Sequence, residues 1–126
     1  MDDLTKTFLR VAGVVGFLAV MAGTFGAHGL PEDLDAHARD VFETGVRYHV
    51  YHAIALLACA RCFRPGLPAR LALWGFCLGI LLFSGSLYAL ALSGVKALGM
   101  IAPIGGLCFL AGWLALVFEA NRDTSA

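Results

Sequence analysis

The densest group of polar side chains in this sequence lies immediately before a long apolar run. Five residues that could do chemistry fall between positions 43 and 52: Glu43, Arg47, Tyr48, His49 and His52. The two histidines are three residues apart, so on a helix they share one face. Small residues lie above and below them on that face, including Gly45 and Ala53. We therefore expect both imidazoles to point into a helix bundle and treat these five residues, together with His28, as the candidate functional cluster.

Three histidines could meet in one layer, because His28 ends the preceding apolar run. Such a layer could bind zinc or copper, or relay protons near neutral pH. The alternative is structural, with each ring hydrogen-bonded to backbone carbonyls and hydroxyls at the outer end of the bundle. We favour the structural interpretation, with His28 as the expected partner ahead of Tyr88 and Ser86. No metal and no cofactor is expected, since the spacing supplies no pair of haem ligands on opposing helices.

Other reactive residue types have mainly structural interpretations. Cys59 and Cys62 have redox-like spacing but lack the βαβ context of a thioredoxin motif. Membrane serines commonly bond to carbonyls of their own or a neighbouring helix, which we expect of Ser84 and Ser86. Aromatic anchoring or packing is expected of four more rings: Tyr48, Tyr51, Trp74 and Trp113. Since no Ser-His-Asp set and no paired carboxylates occur, we expect no enzyme.

The composition requires an apolar solvent. Of 126 residues, 60% are hydrophobic and 14% are charged, and the mean hydropathy is +0.80. A soluble domain of this size cannot bury so much apolar surface. Lys plus Arg and Asp plus Glu both total 9, so the net charge of zero argues against nucleic acid as a partner. A single membrane domain covering residues 1–126 is expected, with lipid as one partner.

The fold class predicted is an all-α, integral membrane bundle of four transmembrane helices. The apolar runs place the spans at about residues 8–27, 45–63, 71–92 and 99–118. The sequence predicts an amphipathic interfacial helix at residues 31–40, before the second span. Pro31 suits the first position of a helix, and the acids that follow it suit the first turn. A cleavable signal peptide is the alternative for the first run, but this run is longer than the apolar core of a signal peptide. A polar, mobile tail is expected from Glu119 onward.

Small residues recur along the spans and predict close helix packing. We expect helix contacts at Gly75, Gly79, Ser86, Gly105 and Gly112. Two ion pairs at helical spacing are also expected, Asp35 with Arg39 and Glu43 with Arg47.

The distribution of basic residues predicts orientation. Lys6, Arg10, Arg61, Arg64, Arg70 and Arg122 lie on one side of a four-span arrangement, and only Arg39, Arg47 and Lys96 on the other. Basic residues are in excess on the cytoplasmic side. We therefore expect both termini in the cytoplasm and the histidines on the outer side.

Four ordered motifs carry a family resemblance: GTFGAHGL, FETGVRYHVYHAIALL, FSGSLY and APIGG. Together they resemble the domain of unknown function 423 family, to which transmembrane-protein-256-like proteins are similar. The resemblance covers nearly the whole chain. It implies a four-span bacterial inner-membrane protein and brings no established activity, substrate or cofactor.

Three functions remain open. The first is an accessory or assembly subunit that binds other membrane proteins or forms a homo-oligomer, supported by the small-residue stripes and short loops. The second is an oligomeric small-solute or proton transporter or channel component, which would use the outward His and Arg cluster. The third is a metal or haem carrier.

Overall fold

The computed structural model describes residues 1–122, and all the regular secondary structure within them is helical. Four helices follow one another: α1 (Asp3–His28), α2 (Ala36–Cys62), α3 (Leu67–Ser93) and α4 (Ala102–Asn121). A 3₁₀ turn, Lys96–Met100, precedes α4. The all-helical class predicted from the sequence is confirmed for this part of the chain.

Three of the four helices in the described part are long and apolar enough to cross a membrane: α1, α3, and α4 together with its leading turn, Lys96–Asn121. This fits a multi-pass membrane protein. The helix that is not in this group is α2, whose first half carries the polar cluster. Four spans therefore remain a prediction.

The predicted interfacial helix at residues 31–40 is wrong in its start. Residues 31–35 form a turn, and α2 begins at Ala36 and runs without a break to Cys62. The Asp35 carboxylate caps α2 by accepting the Ala38 N–H at 2.7 Å. Arg39 does not pair with Asp35 as predicted, because its guanidinium donates to the Pro31 and Leu34 carbonyls. The turn is thereby tied to the first part of α2.

The helices pack as two pairs that meet through α2 and α3. α1 lies along α2, α3 lies along α4, and the second half of α3 also contacts α2. Phe8 of α1 stacks on Phe63 at a centroid distance of 6.1 Å. The fully buried core includes two phenylalanines, one leucine and two alanines: Phe8, Phe76, Leu56, Ala72 and Ala115. Alanine-rich faces let the helix axes come close together.

Glycines make the closest contact, between α3 and α4. A Cβ on Gly75 would lie 2.8 Å from the Cys108 carbonyl oxygen and 2.9 Å from the Gly112 nitrogen. A Cβ on Gly112 would lie 2.6 Å from the Phe76 ring, and those on Gly79 and Gly105 would meet Phe109 and the Phe83 backbone. Any side chain at these positions would push the two helices apart.

A π-helical turn, Ile80–Ser84, lies within α3 at the point where α2 crosses it. Here the Ser84 hydroxyl, fully buried, donates to the Gly45 carbonyl of α2 at 2.7 Å. Ser86 instead donates to the Phe83 carbonyl of its own helix at 2.9 Å. Both kinds of bond expected of membrane serines therefore occur.

Candidate functional site

His52 is held from three sides by aromatic and backbone groups. The Trp113 indole N–H of α4 donates to His52 Nε2 at 3.1 Å, and His52 Nδ1 lies 2.6 Å from the Tyr48 carbonyl. The imidazole stacks on Phe109 with centroids 3.6 Å apart and planes 9° apart. It is 4% exposed. This ring therefore joins α2 to α4 in the middle of the bundle.

These bonds define the tautomer of His52. An indole N–H can only donate and a carbonyl can only accept. Nε2 must therefore carry the lone pair and Nδ1 the proton, which is a neutral imidazole. A second proton on Nε2 would face the Trp113 N–H and break that bond. The ring also has no free lone pair to offer to a metal ion.

His49 bonds to a different helix. Its Nδ1 lies 2.9 Å from the Tyr88 hydroxyl of α3, and the Val15 backbone of α1 also interacts with the ring. Tyr88 can approach because Gly45 has no side chain, since a Cβ there would lie 2.8 Å from the phenol ring. His49 thus connects α2 to both α1 and α3.

His28 is not the partner that the sequence predicted. It lies exposed in the last turn of α1, whereas the rings of His49 and His52 bond to Tyr88, Trp113 and backbone. The three histidines therefore do not form one layer. Within residues 1–122, no group of three or more His, Cys, Asp or Glu side chains could hold a metal ion.

The charged members of the cluster lie apart from the histidines. Arg47 is exposed and forms ion pairs at 3.8 Å with both Asp40 and Glu43. The predicted Glu43–Arg47 pair is therefore present, and Asp40 joins it. Because all three side chains are solvent- or headgroup-accessible, this network contributes little to stability.

Tyr48 lines a cleft on the outside of the bundle. Its ring packs on Phe83 at 4.7 Å and near Tyr51 at 5.8 Å. With His52, Phe109 and Trp113 it lines a cavity of about 410 Å³ between α2, α3 and α4. The sequence predicted Tyr48 and Trp113 as anchors or packing groups, and here both rings pack near His52.

The depth of this cluster follows from helix length. His52 lies ten residues before Cys62, the last residue of α2, which is about 15 Å at 1.5 Å per residue. That is half of a hydrocarbon core of about 30 Å. If α2 spans the bilayer, His52 and Trp113 lie near its middle, deeper than the outer end predicted from the sequence.

A buried carboxylate at the opposite end of the bundle was missed by the sequence analysis. Glu119 is 6% exposed and lies in α4, which continues to Asn121 where a polar tail was predicted. The Arg64 and Arg122 guanidinium groups donate to its two oxygens at 2.9 Å each, and the Arg64 backbone N–H also donates. Arg122 further donates to the Pro65 carbonyl. The rest of the predicted tail, residues 123–126, lies outside the described residues.

One signal in the sequence could have identified this site. Glu119 is the only acid between Glu43 and Asp123, and the Arg61–Arg70 connector contains three arginines and no acid. A lone carboxylate at the basic end of a helical hairpin is a natural partner for that connector.

The groove between α1 and α2 has glycines that nothing in the described chain packs against. A Cβ added to Gly13 or Gly16 would have no atom within 4 Å, unlike one added to the packed glycines of α3 and α4. The groove has a volume of about 220 Å³ and is lined mainly by small and aliphatic residues, among them Ala53, Ile54 and Leu57. The backbone of α1 is therefore open to close approach from outside.

Known proteins place the chain among small membrane proteins. Residues 22–106 match the family described as protein of unknown function, DUF423. A UPF0382 membrane protein of Haemophilus influenzae is 42% identical over 97% of this chain and 99% of its own length. The UPF0382 membrane protein YwdK of Bacillus subtilis is 39% identical, covering 93% of this chain and 98% of its own. The UPF0382 inner membrane protein YgdD of Escherichia coli is 36% identical, covering 94% and 93% respectively.

The chain therefore belongs to the DUF423 family, as the four motifs predicted. No solved structure matches it. The names of its relatives give a location in the membrane and no enzymatic activity.

Proposed function

We propose that this protein is a non-enzymatic accessory or assembly subunit whose α1–α2 groove receives a helix of another membrane protein. The observation that carries the proposal is the contrast between two sets of glycines. Gly75 and Gly112 are filled by contacts inside the chain, whereas Gly13 and Gly16 face open space. Small residues let membrane helices approach closely, and van der Waals packing then drives association. A partner helix would pack against the open glycines of α1 as α4 packs against the glycines of α3.

The interior polar groups support this function over a transporter. His52 is bonded to Trp113 and the Tyr48 carbonyl, and His49 to Tyr88. A relay or ion site needs polar atoms that can exchange partners. Here an exchange at His52 Nε2 or at His49 Nδ1 would break a bond that joins two helices, so the polar groups favour a structural role.

The proposal includes the arrangement in the membrane. All four helices are at least 20 residues long, which is about the length that crosses a hydrocarbon core. We infer that α2 is the fourth span, since its polar rings are bonded inside the bundle and its apolar side can face lipid. Basic residues concentrate at the end formed by the start of α1 and the α2–α3 connector, which favours cytoplasmic termini.

Photo-crosslinking in native membranes tests the groove. A photoreactive side chain at Ile54 would lie in the groove, and one at Leu81 would lie on a separate face with similar exposure, 60% against 66%. We expect a protein adduct of one defined mass from position 54 and none from position 81. An adduct of twice the chain mass would assign the groove to a second copy. Equal adducts from both positions, or none from either, would contradict the proposal.

A further inference from the structure

A second cavity lies at the basic end of the bundle, where α2 ends and α4 ends. It has a volume of about 460 Å³, and its walls include Arg61, Phe63, Leu116 and Glu119. Phe63 and Leu116 supply apolar surface and are buried or half-buried. The cavity thus has a charged mouth and an apolar wall that includes Phe63 and Leu116.

Arg61 supplies an uncommitted positive charge at this mouth. Its side chain is exposed and forms no ion pair with any residue from 1 to 122. The carboxylate beside it, Glu119, already accepts from Arg64 and Arg122 at 2.9 Å each. Glu119 is therefore neutralised by its own partners and does not offset the charge of Arg61.

The whole end of the bundle carries an excess of basic residues. The connector and the end of α4 contribute four arginines against two acids, one of which lies beyond the described residues: Arg61, Arg64, Arg70 and Arg122 against Glu119 and Asp123. Cys62 is the last residue of α2, so Arg61 is placed at headgroup level when α2 spans the bilayer. Basic pockets between transmembrane helices bind anionic lipid headgroups.

We propose that this cavity binds one anionic phospholipid, with its phosphate at Arg61 and one acyl chain along Leu116. Charge complementarity selects an anionic ligand, and the apolar wall selects one with a hydrocarbon chain. The inference depends on the helices being embedded in a bilayer. It does not depend on the partner helix at the α1–α2 groove, which lies on another face.

Native mass spectrometry of the full chain in detergent tests the site with a matched pair of variants. Arg61→Gln and Arg70→Gln remove the same charge from the same end of the bundle, but only Arg61 lines the cavity. The probes are phosphatidylglycerol and phosphatidylcholine with identical acyl chains. We expect the parent to retain one phosphatidylglycerol several-fold better than phosphatidylcholine. Arg61→Gln should reduce that preference about fivefold, as expected for one basic residue near a headgroup, and Arg70→Gln should keep it.

Three results would overturn the proposal. The parent could show no headgroup preference, or both variants could lose it equally, which would assign it to the general charge of this end. Displacement of the lipid by inorganic phosphate at equal concentration would show an anion site that does not recognise lipid.

A second measurement avoids any folding defect of Arg61→Gln. Cys62 is exposed and lines the same cavity, whereas Cys59 is buried and Cys77 and Cys108 are half-buried. Phosphatidylglycerol should slow maleimide modification of Cys62 in the unaltered protein several-fold, and phosphatidylcholine should not. Equal rates with both lipids would contradict binding in this cavity.

Discussion

His52 shows how one buried polar side chain can join two helices of a bundle through its hydrogen bonds. Its two nitrogens meet a donor and an acceptor that cannot exchange roles, the Trp113 indole and the Tyr48 carbonyl. A buried imidazole left with one nitrogen unpaired would lose that stabilisation and keep the cost of leaving water. His52 is therefore part of the packing between α2 and its neighbours.

Trp113→Phe should destabilise the purified protein by about 1–3 kcal/mol, because it leaves His52 Nε2 buried without a donor. The phenyl ring keeps much of the packing against Phe76, whose ring lies 5.3 Å from that of Trp113. Thermal unfolding in detergent measures the change. Trp74→Phe is the matched control, since Trp74 is 63% exposed, and it should stay within about 0.5 kcal/mol of the parent. Equal shifts in the two variants would contradict the role of the indole N–H.

At this scale the sequence predicted residue types better than partners. The spacing of His49 and His52 predicted that both rings face the interior, and they are 6% and 4% exposed. It could not reveal Trp113 as the donor, because that contact depends on how α4 is rotated against α2. The same limit applies to Tyr88, one of the partners named from the sequence but ranked behind His28.

Among the elements, the α3–α4 pair has the least tolerance for added volume. Gly75→Ala should cost about 1–3 kcal/mol, because the new Cβ meets backbone atoms of Cys108 and Gly112 that cannot move alone. Gly13→Ala makes the same change where nothing lies within 4 Å. It should be neutral or stabilise the helix by about 0.5–1 kcal/mol. Detergent melting curves separate the two, and a stable Gly75→Ala would mean that the two helices do not pack this closely.

The connector between α2 and α3 is fixed to the end of α4 by Glu119. Glu119→Gln should lower stability by about 1–2 kcal/mol, since it weakens charge-assisted bonds to Arg64 and Arg122. Exposure of both arginines, 51% and 35%, keeps the value moderate. Glu43→Gln removes an exposed carboxylate from Arg47 and should change stability by less than about 0.5 kcal/mol. If chemical denaturation ranks the two variants in the reverse order, the Glu119 contacts are not stabilising.

The elements themselves were largely predictable from hydropathy, but the start of α2 and the end of α4 were not. The apolar runs located α1, α3 and α4 to within a few residues. The start of α2 was misjudged because Pro31 followed by acids is typical of a helix start, whereas Asp35 is the residue that caps it. Glu119 was assigned to a tail because a polar residue after an apolar run usually marks its end.

For the molecule as a whole, the position of the basic residues predicts that both termini are cytoplasmic. Cysteines introduced one at a time at Asp33 and Ser125, in a protein with the exposed Cys62 replaced by serine, test this in intact cells. Ser125 lies outside the described residues, and Asp33 is in the turn before α2. An impermeant maleimide should modify position 33 and leave position 125 unmodified. Modification at position 125 but not at position 33 would contradict the predicted orientation.

The central claim is that the open glycines of α1 receive a helix of another membrane protein. Gly16→Leu should block this approach without disturbing the fold, and Gly85→Leu adds the same side chain at an equally open position on α3. The direct measurement is quantitative copurification from native membranes with tagged parent and both variants. We expect one partner to be recovered in fixed ratio with the parent and with Gly85→Leu, and to fall at least tenfold with Gly16→Leu, whose melting temperature is unchanged. Equal recovery with all three proteins, or no stoichiometric partner with the parent, would contradict the account.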